Sequence, residues 1–322
     1  MAPSQVYIAV LGTGGVGAAF LSQLSSLASR LSSHLTAPTH LSLIYISRSS
    51  TCLLKPFNDP IPYQTWQSSL SASSTLSLWT SILSTSANNS GPASSSGYIF
   101  HESTVGAGLP ILSTLTTLLS TGDSILKIEG VFSGTLSFLF NNFMPLSSGP
   151  RGGSFSAEVA KAKHLGYTEP DPRDDLNGLD VARKLTILAR MAGLQIESPS
   201  SFPVQSLIPP ELEDVSGGDE FLARLGEFDD RMETVKRRAQ GKGKVLRFVG
   251  SVDVEKGEVE VGLREFEEAH PIAALKGSDN IVSFYTKRYG ENPLIVQGAG
   301  AGAEVTAMGV TGDLIKVLSL LR

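Results

Sequence analysis

A glycine-rich turn near the start of the chain joins a buried strand to an amphipathic helix. Residues 6–11 (VYIAVL) form a continuous apolar run, the pattern of a strand buried on both faces. The turn Gly12-Thr-Gly-Gly-Val-Gly17 follows, and apolar residues then recur at helical spacing to about residue 33. A second apolar strand at residues 41–46 completes a βαβ unit. A GxGxxG turn in this setting is typical of a dinucleotide-binding, Rossmann-type domain.

The turn itself predicts a site for the cofactor pyrophosphate. Gly12 permits the tight turn, Gly14 lets the anion approach the backbone, and Gly17 lets the helix pack close to the strand. The free N–H groups at the helix N-terminus favour a bound anion. The alternative is a glycine-rich turn with no ligand. The predicted contacts are Gly12, Thr13, Gly14, Gly15, Val16 and Gly17.

The end of the second strand bears on the choice of cofactor. An NAD site places Asp or Glu here for the ribose 2′-hydroxyl, whereas this chain has Ser47, Arg48 and Ser49. An arginine among hydroxyls suits a 2′-phosphate, so we predict that NADP(H) is preferred, with NAD(H) as the other possibility. The competing interpretation of Arg48 is a solvated loop arginine. A later loop, residues 298–302 (GAGAG), is either a second backbone surface against the cofactor or a plain turn.

The middle of the chain gives few structural signals. Residues 68–97 are dominated by Ser, Thr, Ala and Asn, and residues 76–82 (LSLWTSI) predict one short helix. Beyond them we predict a strand at residues 97–100 and helices at residues 109–120, 136–143, 155–165, 176–192, 219–240 and 311–321. Further strands are predicted at residues 125–132, 245–254, 258–266, 280–286 and 294–297.

These elements predict an α/β chain of two domains. The first is a truncated Rossmann-type nucleotide-binding domain over residues 1–125, completed by residues 298–322. The second, residues 126–297, is an α+β substrate-binding and dimerisation domain. Its antiparallel strands form a natural dimer surface.

Composition excludes several classes of protein. The net charge of −5 offers no basic field for nucleic acid or anionic lipid. No apolar run reaches the roughly 18 residues of a membrane-spanning helix, and residues 1–17 lack a basic region typical of a signal peptide. The single cysteine, Cys52, fits a reducing compartment. We therefore expect a cytoplasmic enzyme that binds neither nucleic acid nor membrane.

An acidic block at residues 166–184 (GYTEPDPRDDLNGLDVARK) carries the candidate chemistry. Its helix is predicted to start near Asp175 or Asn177, both suitable N-caps, and Asp180 and Lys184 share one helix face. That face borders the buried stripe, so Lys184 is a candidate proton donor to an alkoxide. Glu169 and Asp180 are candidates for holding a substrate ammonium. The pattern equally fits a salt-bridged surface helix.

The same block resembles the homoserine dehydrogenase family, most closely its fungal, monofunctional form. Other segments resemble family hallmarks in the same order: residues 101–110 (HESTVGAGLP), 128–136 (IEGVFSGTL), 270–280 (HPIAALKGSDN) and 298–309 (GAGAGAEVTAMG). The resemblance covers residues 5–66 and 97–322. It implies NADPH-linked reduction of L-aspartate 4-semialdehyde to L-homoserine, in threonine, methionine and isoleucine biosynthesis, by a homodimer.

The resemblance also implies roles for individual residues. Lys184 matches the family's proton-transfer lysine, and Glu169 and Asp180 match its substrate-binding carboxylates. Tyr167 and Asp175 lie in the same wall of the substrate site, which residues 166–184 form. His270 matches a histidine near the subunit and active-site region, and Gly302 matches a cofactor contact. The remaining matches are to a structural sodium site and comprise Glu102, Val105, Ala107 and Gly108.

The chain departs from the family between Trp66 and Leu76. The family has a buried strand with a Thr-Ser turn and a TPNKK-type segment, whose lysine reaches the cofactor and substrate, and neither has a counterpart here. The neighbours of such a strand would lack a pairing partner. Two hypotheses follow: an active enzyme, or a catalytically impaired homologue or incomplete gene model that retains nucleotide binding or dimerisation. A third interpretation, a thioester-forming aldehyde dehydrogenase, needs a cysteine nucleophile. We expect Cys52 to lie near the adenosine end of the cofactor site, where it could not attack the substrate, so this interpretation is disfavoured.

Overall fold

The computed structural model describes residues 4–33, 38–49, 51–72, 98–149 and 152–321. The chain divides into two compact units, Met1–His101 with Gly302–Arg322, and Glu102–Ala301. The sequence placed these boundaries at residues 125 and 298. Residues 102–125 lie in the second unit instead, because Ile111, Leu112 and Leu115 are buried in its core.

The first unit contains a three-stranded sheet of order β1-β2-β3. β1 (Ser4–Leu11) and β2 (Thr39–Arg48) are parallel, and α1 (Gly15–Ser32) connects them. A third strand that the sequence did not predict, β3 (Thr51–Leu54), runs antiparallel to β2 and contains the buried Cys52. α2 (Trp66–Ser71) contacts β3, and α10 (Ala303–Leu320) contacts α1. α10 begins eight residues before the start predicted at residue 311.

Within the described residues, β1 is an edge strand hydrogen-bonded to β2 alone. A groove of 780 Å³ runs along it, lined by β1, by α1 and α10, and by Tyr98 and Phe100. The strand predicted at residues 97–100 is not present at residues 98–100, which have no regular structure, and residue 97 lies outside the described residues. The helix predicted at residues 76–82 also lies outside them.

The second unit is built on a five-stranded antiparallel sheet of order β6-β5-β4-β7-β8. Its strands are β4 (Ile125–Val131), β5 (Lys244–Asp253), β6 (Glu258–Glu267), β7 (Asp279–Thr286) and β8 (Leu294–Ala299). Its helices are α3 (Ile111–Ser120), α4 (Gly134–Phe143), α5 (Phe155–His164), α6 (Arg173–Leu176), α7 (Leu179–Met191), α8 (Gly218–Leu225) and α9 (Asp229–Gln240). Short 3-10 helices lie at Glu102–Thr104, Pro210–Leu212 and Gly226–Phe228.

One apolar core joins these helices to the sheet. α4, α7 and α9 contact β5, and the buried aromatic rings of Phe140, Phe143 and Phe155 pack against one another. Gly250 of β5 has no room for a side chain, because Leu185 of α7 lies against it. α7 is therefore held directly on the sheet, which fixes the position of the side chains on its free face.

Two helices predicted as continuous are broken. The segment at residues 176–192 divides into α6 and α7 at Gly178, whose φ of 74° is unfavourable for other residues. The predicted N-cap is therefore wrong: Gly178 occupies that position, although the Asn177 side chain still accepts a hydrogen bond from the Leu179 N–H at 2.8 Å. The segment at residues 219–240 is α8 and α9 with a 3-10 turn between them.

No helix in the described part of the chain is long and apolar enough to cross a membrane.

Candidate functional site

The glycine turn of the first unit is tied to the end of β2. The N–H groups of Gly12 and Thr13 donate to the Ser47 carbonyl oxygen at 3.1 and 2.9 Å. Gly12 has φ of 92°, and a Cβ on Gly17 would collide with the Gly12 carbonyl oxygen, so both positions require glycine. At Gly14, by contrast, a Cβ would meet no atom within 4 Å. Open space at the N-cap of α1 is what a pyrophosphate site needs.

The residues after Ser47 extend this site. Arg48 ends β2 and is exposed, and Ser49 has φ of 27°. Among the described residues, the Arg48 guanidinium has no hydrogen bond or ion pair. A second glycine loop reaches the same region of this unit: Gly302 is the N-cap of α10, and a Cβ on Gly15 would lie 3.7 Å from the Ala303 side chain. The first unit therefore brings together all the predicted cofactor residues.

The candidate proton donor lies in the second unit. Lys184 Nζ is 2.7 Å from Asp180 Oδ2 and donates a hydrogen bond to the Phe132 carbonyl oxygen at 2.8 Å. The Lys184 side chain is 18% exposed and that of Asp180 is 53% exposed. The ammonium is thus held at a fixed place, at the border between the core and the surface.

A second group of predicted residues is linked through Thr135 of α4. Its Oγ1 lies 2.6 Å from the Tyr167 carbonyl oxygen and 2.9 Å from Asp175 Oδ1. The Glu169 N–H donates to Asp175 Oδ2 at 2.8 Å. Burial raises the pKa of Asp175 above its ordinary value, against the opposing effect of these hydrogen bonds. Among the described residues, the exposed Glu169 carboxylate has no hydrogen bond or ion pair.

Both groups meet the turn at residues 132–135, where β4 leads into α4. Phe132 binds Lys184, Ser133 caps α4 by accepting from the Leu136 N–H at 3.2 Å, and Thr135 binds the Tyr167–Asp175 group. Sequence reasoning assigned no site residue to this turn. The available signal was Ser133, a good N-cap directly after a predicted strand.

The residues matched to a sodium site form the turn before α3. The Glu102 carboxylate is buried and accepts from the N–H groups of Leu112 and Ser113, which caps α3. Gly106 and Ala107 both have positive φ, 79° and 57°. No group of three or more His, Cys, Asp or Glu side chains in the described residues is placed to hold a metal. A cation at this turn would therefore depend on carbonyl oxygens, the ligands that hard cations prefer.

His270 packs against β6. Its ring is 4.8 Å from that of Phe266, and its Nδ1 accepts from the Ile272 N–H at 3.2 Å. Burial lowers the pKa of His270 below its ordinary value. These contacts are with its own segment and with β6.

Comparison with known proteins gives consistent matches. The homoserine dehydrogenase family model matches residues 110–315. The homoserine dehydrogenase of Paracoccidioides brasiliensis is 47% identical over the whole of both chains, and that of Emericella nidulans is 48% identical over 98% of this chain and 99% of its own. The Saccharomyces cerevisiae enzyme is 43% identical over the whole of both chains.

Solved structures share the fold. A Candida auris protein described as of unknown function has a TM-score of 0.86 and 38% identity, with 98% of each chain covered. A hyperthermophilic archaeal homoserine dehydrogenase in complex with NADPH has a TM-score of 0.63 and 20% identity, with 97% of each chain covered.

Proposed function

The chain belongs to the homoserine dehydrogenase family of NAD(P)-dependent oxidoreductases, and we propose that it reduces L-aspartate 4-semialdehyde to L-homoserine with NADPH. The observation that carries this proposal is the partly buried Lys184 ammonium, held by Asp180 and Phe132 on the unit that also presents the exposed Glu169 carboxylate. NADPH, when bound, supplies a hydride to the aldehyde carbon. The chain must supply the proton that converts the carbonyl oxygen to a hydroxyl.

Lys184 is the proposed donor of that proton. Its ammonium carries three N–H groups, and the contacts with Asp180 and Phe132 fix its position, which leaves an N–H available to an alkoxide. Asp180 holds the lysine and, with Glu169, attracts the ammonium group of the substrate. Tyr167 and Asp175 belong to the same segment, residues 166–184, as these two carboxylates.

The first unit fits the cofactor through its own residues. The N-terminus of α1 and the open space at Gly14 would hold the pyrophosphate. Arg48, without a partner among the described residues, would bind a 2′-phosphate, which favours NADPH over NADH. The archaeal homoserine dehydrogenase described in complex with NADPH supports the proposal that this chain binds NADPH. Gly302 would form the second backbone surface.

Three further proposals rest on family membership. We propose a homodimer formed through the sheet of the second unit, which light scattering of the purified chain would test. We also propose a structural sodium ion at the turn of Glu102, Val105, Ala107 and Gly108. Replacing Na⁺ by the bulky tetramethylammonium ion should then lower the melting temperature. His270 is proposed to lie near the subunit interface.

The fungal relatives favour the active enzyme, and the alternative of an impaired homologue rests on one observation. The alignment with the Paracoccidioides enzyme extends over 388 residues, 66 more than this chain contains. Together with the edge position of β1 among the described residues, this supports an absent strand and an absent TPNKK-type lysine, and hence an impaired homologue that still binds nucleotide. Loss of one such electrostatic contact costs about 10²–10³ in rate.

One pair of measurements separates the two functions. The full-length chain is mixed with NADPH and L-aspartate 4-semialdehyde, oxidation of NADPH is followed, and NADPH binding is measured in parallel. Turnover above that of a Lys184→Met variant supports the enzyme. NADPH binding with no turnover above that variant supports the impaired homologue.

A further inference from the structure

The carboxylate of Asp175 is occupied by contacts within the protein. Oδ1 lies 2.9 Å from the Thr135 hydroxyl, and Oδ2 accepts the Glu169 N–H at 2.8 Å. Glu169, two residues beyond Tyr167, differs in that its own carboxylate is exposed and has no partner among the described residues. The two acids of this wall are thus arranged for different tasks.

Thr135 connects Asp175 to a second point of the same segment. Its hydroxyl has one hydrogen and faces two acceptors, the Tyr167 carbonyl oxygen at 2.6 Å and Asp175 Oδ1 at 2.9 Å. When that hydrogen is donated to Tyr167, a proton on Asp175 completes the network by donating to Thr135. The pKa of Asp175, which burial raises, favours this arrangement.

The ring of Tyr167 is held by the same helix as its carbonyl oxygen. It stacks on Phe138 of α4, with the ring centroids 4.4 Å apart and the planes at 22°. Thr135 and Phe138 are three residues apart and so lie on one face of α4. Three groups therefore fix the segment from Tyr167 to Glu169 to α4. They are the Tyr167 ring, the Tyr167 carbonyl oxygen and, through Asp175, the Glu169 N–H.

We propose that Asp175 is a positioning residue, which fixes the segment from Tyr167 to Glu169 against the start of α4 and does not bind the substrate itself. This differs from its expected role as part of the substrate-binding surface, and it rests on the proposed function in which Glu169 binds the substrate ammonium. Its consequence is that the negative charge of Asp175 is dispensable, whereas its hydrogen-bonding geometry is required.

Substitution by asparagine separates the two roles. In Asp175→Asn the amide oxygen accepts the Glu169 N–H and the NH₂ group donates to Thr135, so both links persist without charge. We expect its KM for aspartate semialdehyde to stay within about threefold of wild type, and that of Asp175→Ala to rise about tenfold or more, as for loss of one or two hydrogen bonds. Thr135→Val should raise KM for aspartate semialdehyde as much as Asp175→Ala does, whereas Thr135→Ser, which keeps the hydroxyl, should keep the wild-type KM. KM for NADPH should not change in any of these variants.

The matched control is Asp174→Asn. It removes a negative charge from the neighbouring residue, whose side chain is exposed. We expect its KM to equal that of wild type. If Asp175→Asn raised KM as much as Asp175→Ala, the charge would be binding the substrate and the proposal would be overturned. An unchanged KM in Asp175→Ala would overturn it equally.

A measurement without turnover keeps this proposal separate from the proposed function. Hydrogen–deuterium exchange of the peptide that covers residues 165–172 should be faster in Asp175→Ala and Thr135→Val than in wild type, and unchanged in Asp175→Asn. Equal exchange in all four proteins would refute the positioning role. A wild-type chain without turnover but with this exchange pattern would refute the proposed function alone.

Discussion

Lys184 Nζ and Asp180 Oδ2 lie 2.7 Å apart on successive turns of α7, and the lysine also donates to the Phe132 carbonyl oxygen. The Asp180 side chain is 53% exposed, so this ion pair is screened by solvent and contributes at most about 1 kcal/mol to folding. An arrangement that adds so little stability can still orient a proton donor. Substitutions here should therefore change the chemistry more than the fold.

Replacing Lys184 by methionine keeps the stem and removes the ammonium. We expect kcat to fall by about 10²–10⁴, the usual contribution of a general acid, with NADPH affinity within a few-fold of wild type. Steady-state kinetics and a cofactor titration test this. Lys256→Met is the matched control, since Lys256 forms an i,i+3 pair with Asp253 on the surface. A large loss of NADPH binding in Lys184→Met would mean that the lysine belongs to the cofactor site.

Asp180→Asn tests the carboxylate of the same pair. Loss of a charged contact with the substrate ammonium should raise KM for aspartate semialdehyde by about tenfold or more, because such bonds contribute about 1.5–3 kcal/mol. Asp253→Asn, which breaks the surface pair with Lys256, should leave KM unchanged. An unchanged KM in Asp180→Asn would show that the Asp180 carboxylate holds Lys184 in place and does not bind the substrate.

The parts of the site that could be predicted from sequence are those set by local spacing. The glycine turn and the Asp180–Lys184 pair depend on short-range periodicity, and the structure contains both. The contacts of Thr135 with Asp175 and of Phe132 with Lys184 join residues 40 and 52 positions apart, so no local pattern encodes them. β3 has four residues, too few for a periodic signal, and the early start of α10 follows glycines that weaken a helix pattern.

Asp123 should make folding dependent on pH. Burial raises its pKa, but hydrogen bonds from Thr286 at 2.7 Å and from the backbone N–H groups of Ser124 and Arg288 hold the pKa below its ordinary value. A lowered pKa means that the stabilisation is complete above the ordinary value of about 3.9 and is lost as pH falls through the folded-state value. Asp123→Asn should therefore melt lower than wild type near pH ~7, with the difference shrinking below pH ~4. If the difference in melting temperature between Asp123→Asn and wild type stayed constant over this pH range, the charge of Asp123 would not be the source of the stabilisation.

Arg48→Gln should change which cofactor is preferred. Loss of a charge-assisted bond to the 2′-phosphate is expected to weaken NADPH binding by about tenfold or more and to leave NADH binding unchanged. Titrations with both cofactors measure the ratio of the two dissociation constants. Arg30→Gln, in the last turn of α1, is the control for a general loss of positive charge in this unit. Equal weakening of both cofactors by Arg48→Gln would show that the arginine does not read the 2′ position.

Gly14 and Gly17 should respond differently to alanine although they belong to one motif. Gly14 has φ of −72° and open space around its Cβ position, so Gly14→Ala should keep its melting temperature but lose NADPH affinity, because the methyl group occupies the approach of the pyrophosphate. In Gly17→Ala the methyl group collides with the Gly12 carbonyl oxygen, and we expect a loss of about 1–3 kcal/mol in stability.

Thermal unfolding and NADPH titration of both variants test this difference. Gly312→Ala in α10, where a Cβ would meet no atom within 4 Å, is the control and should be as stable as wild type or slightly more so. A Gly14→Ala variant that bound NADPH as wild type does would place the pyrophosphate elsewhere. In that case the space at the N-terminus of α1 would be a consequence of the turn geometry and would have no part in binding the cofactor.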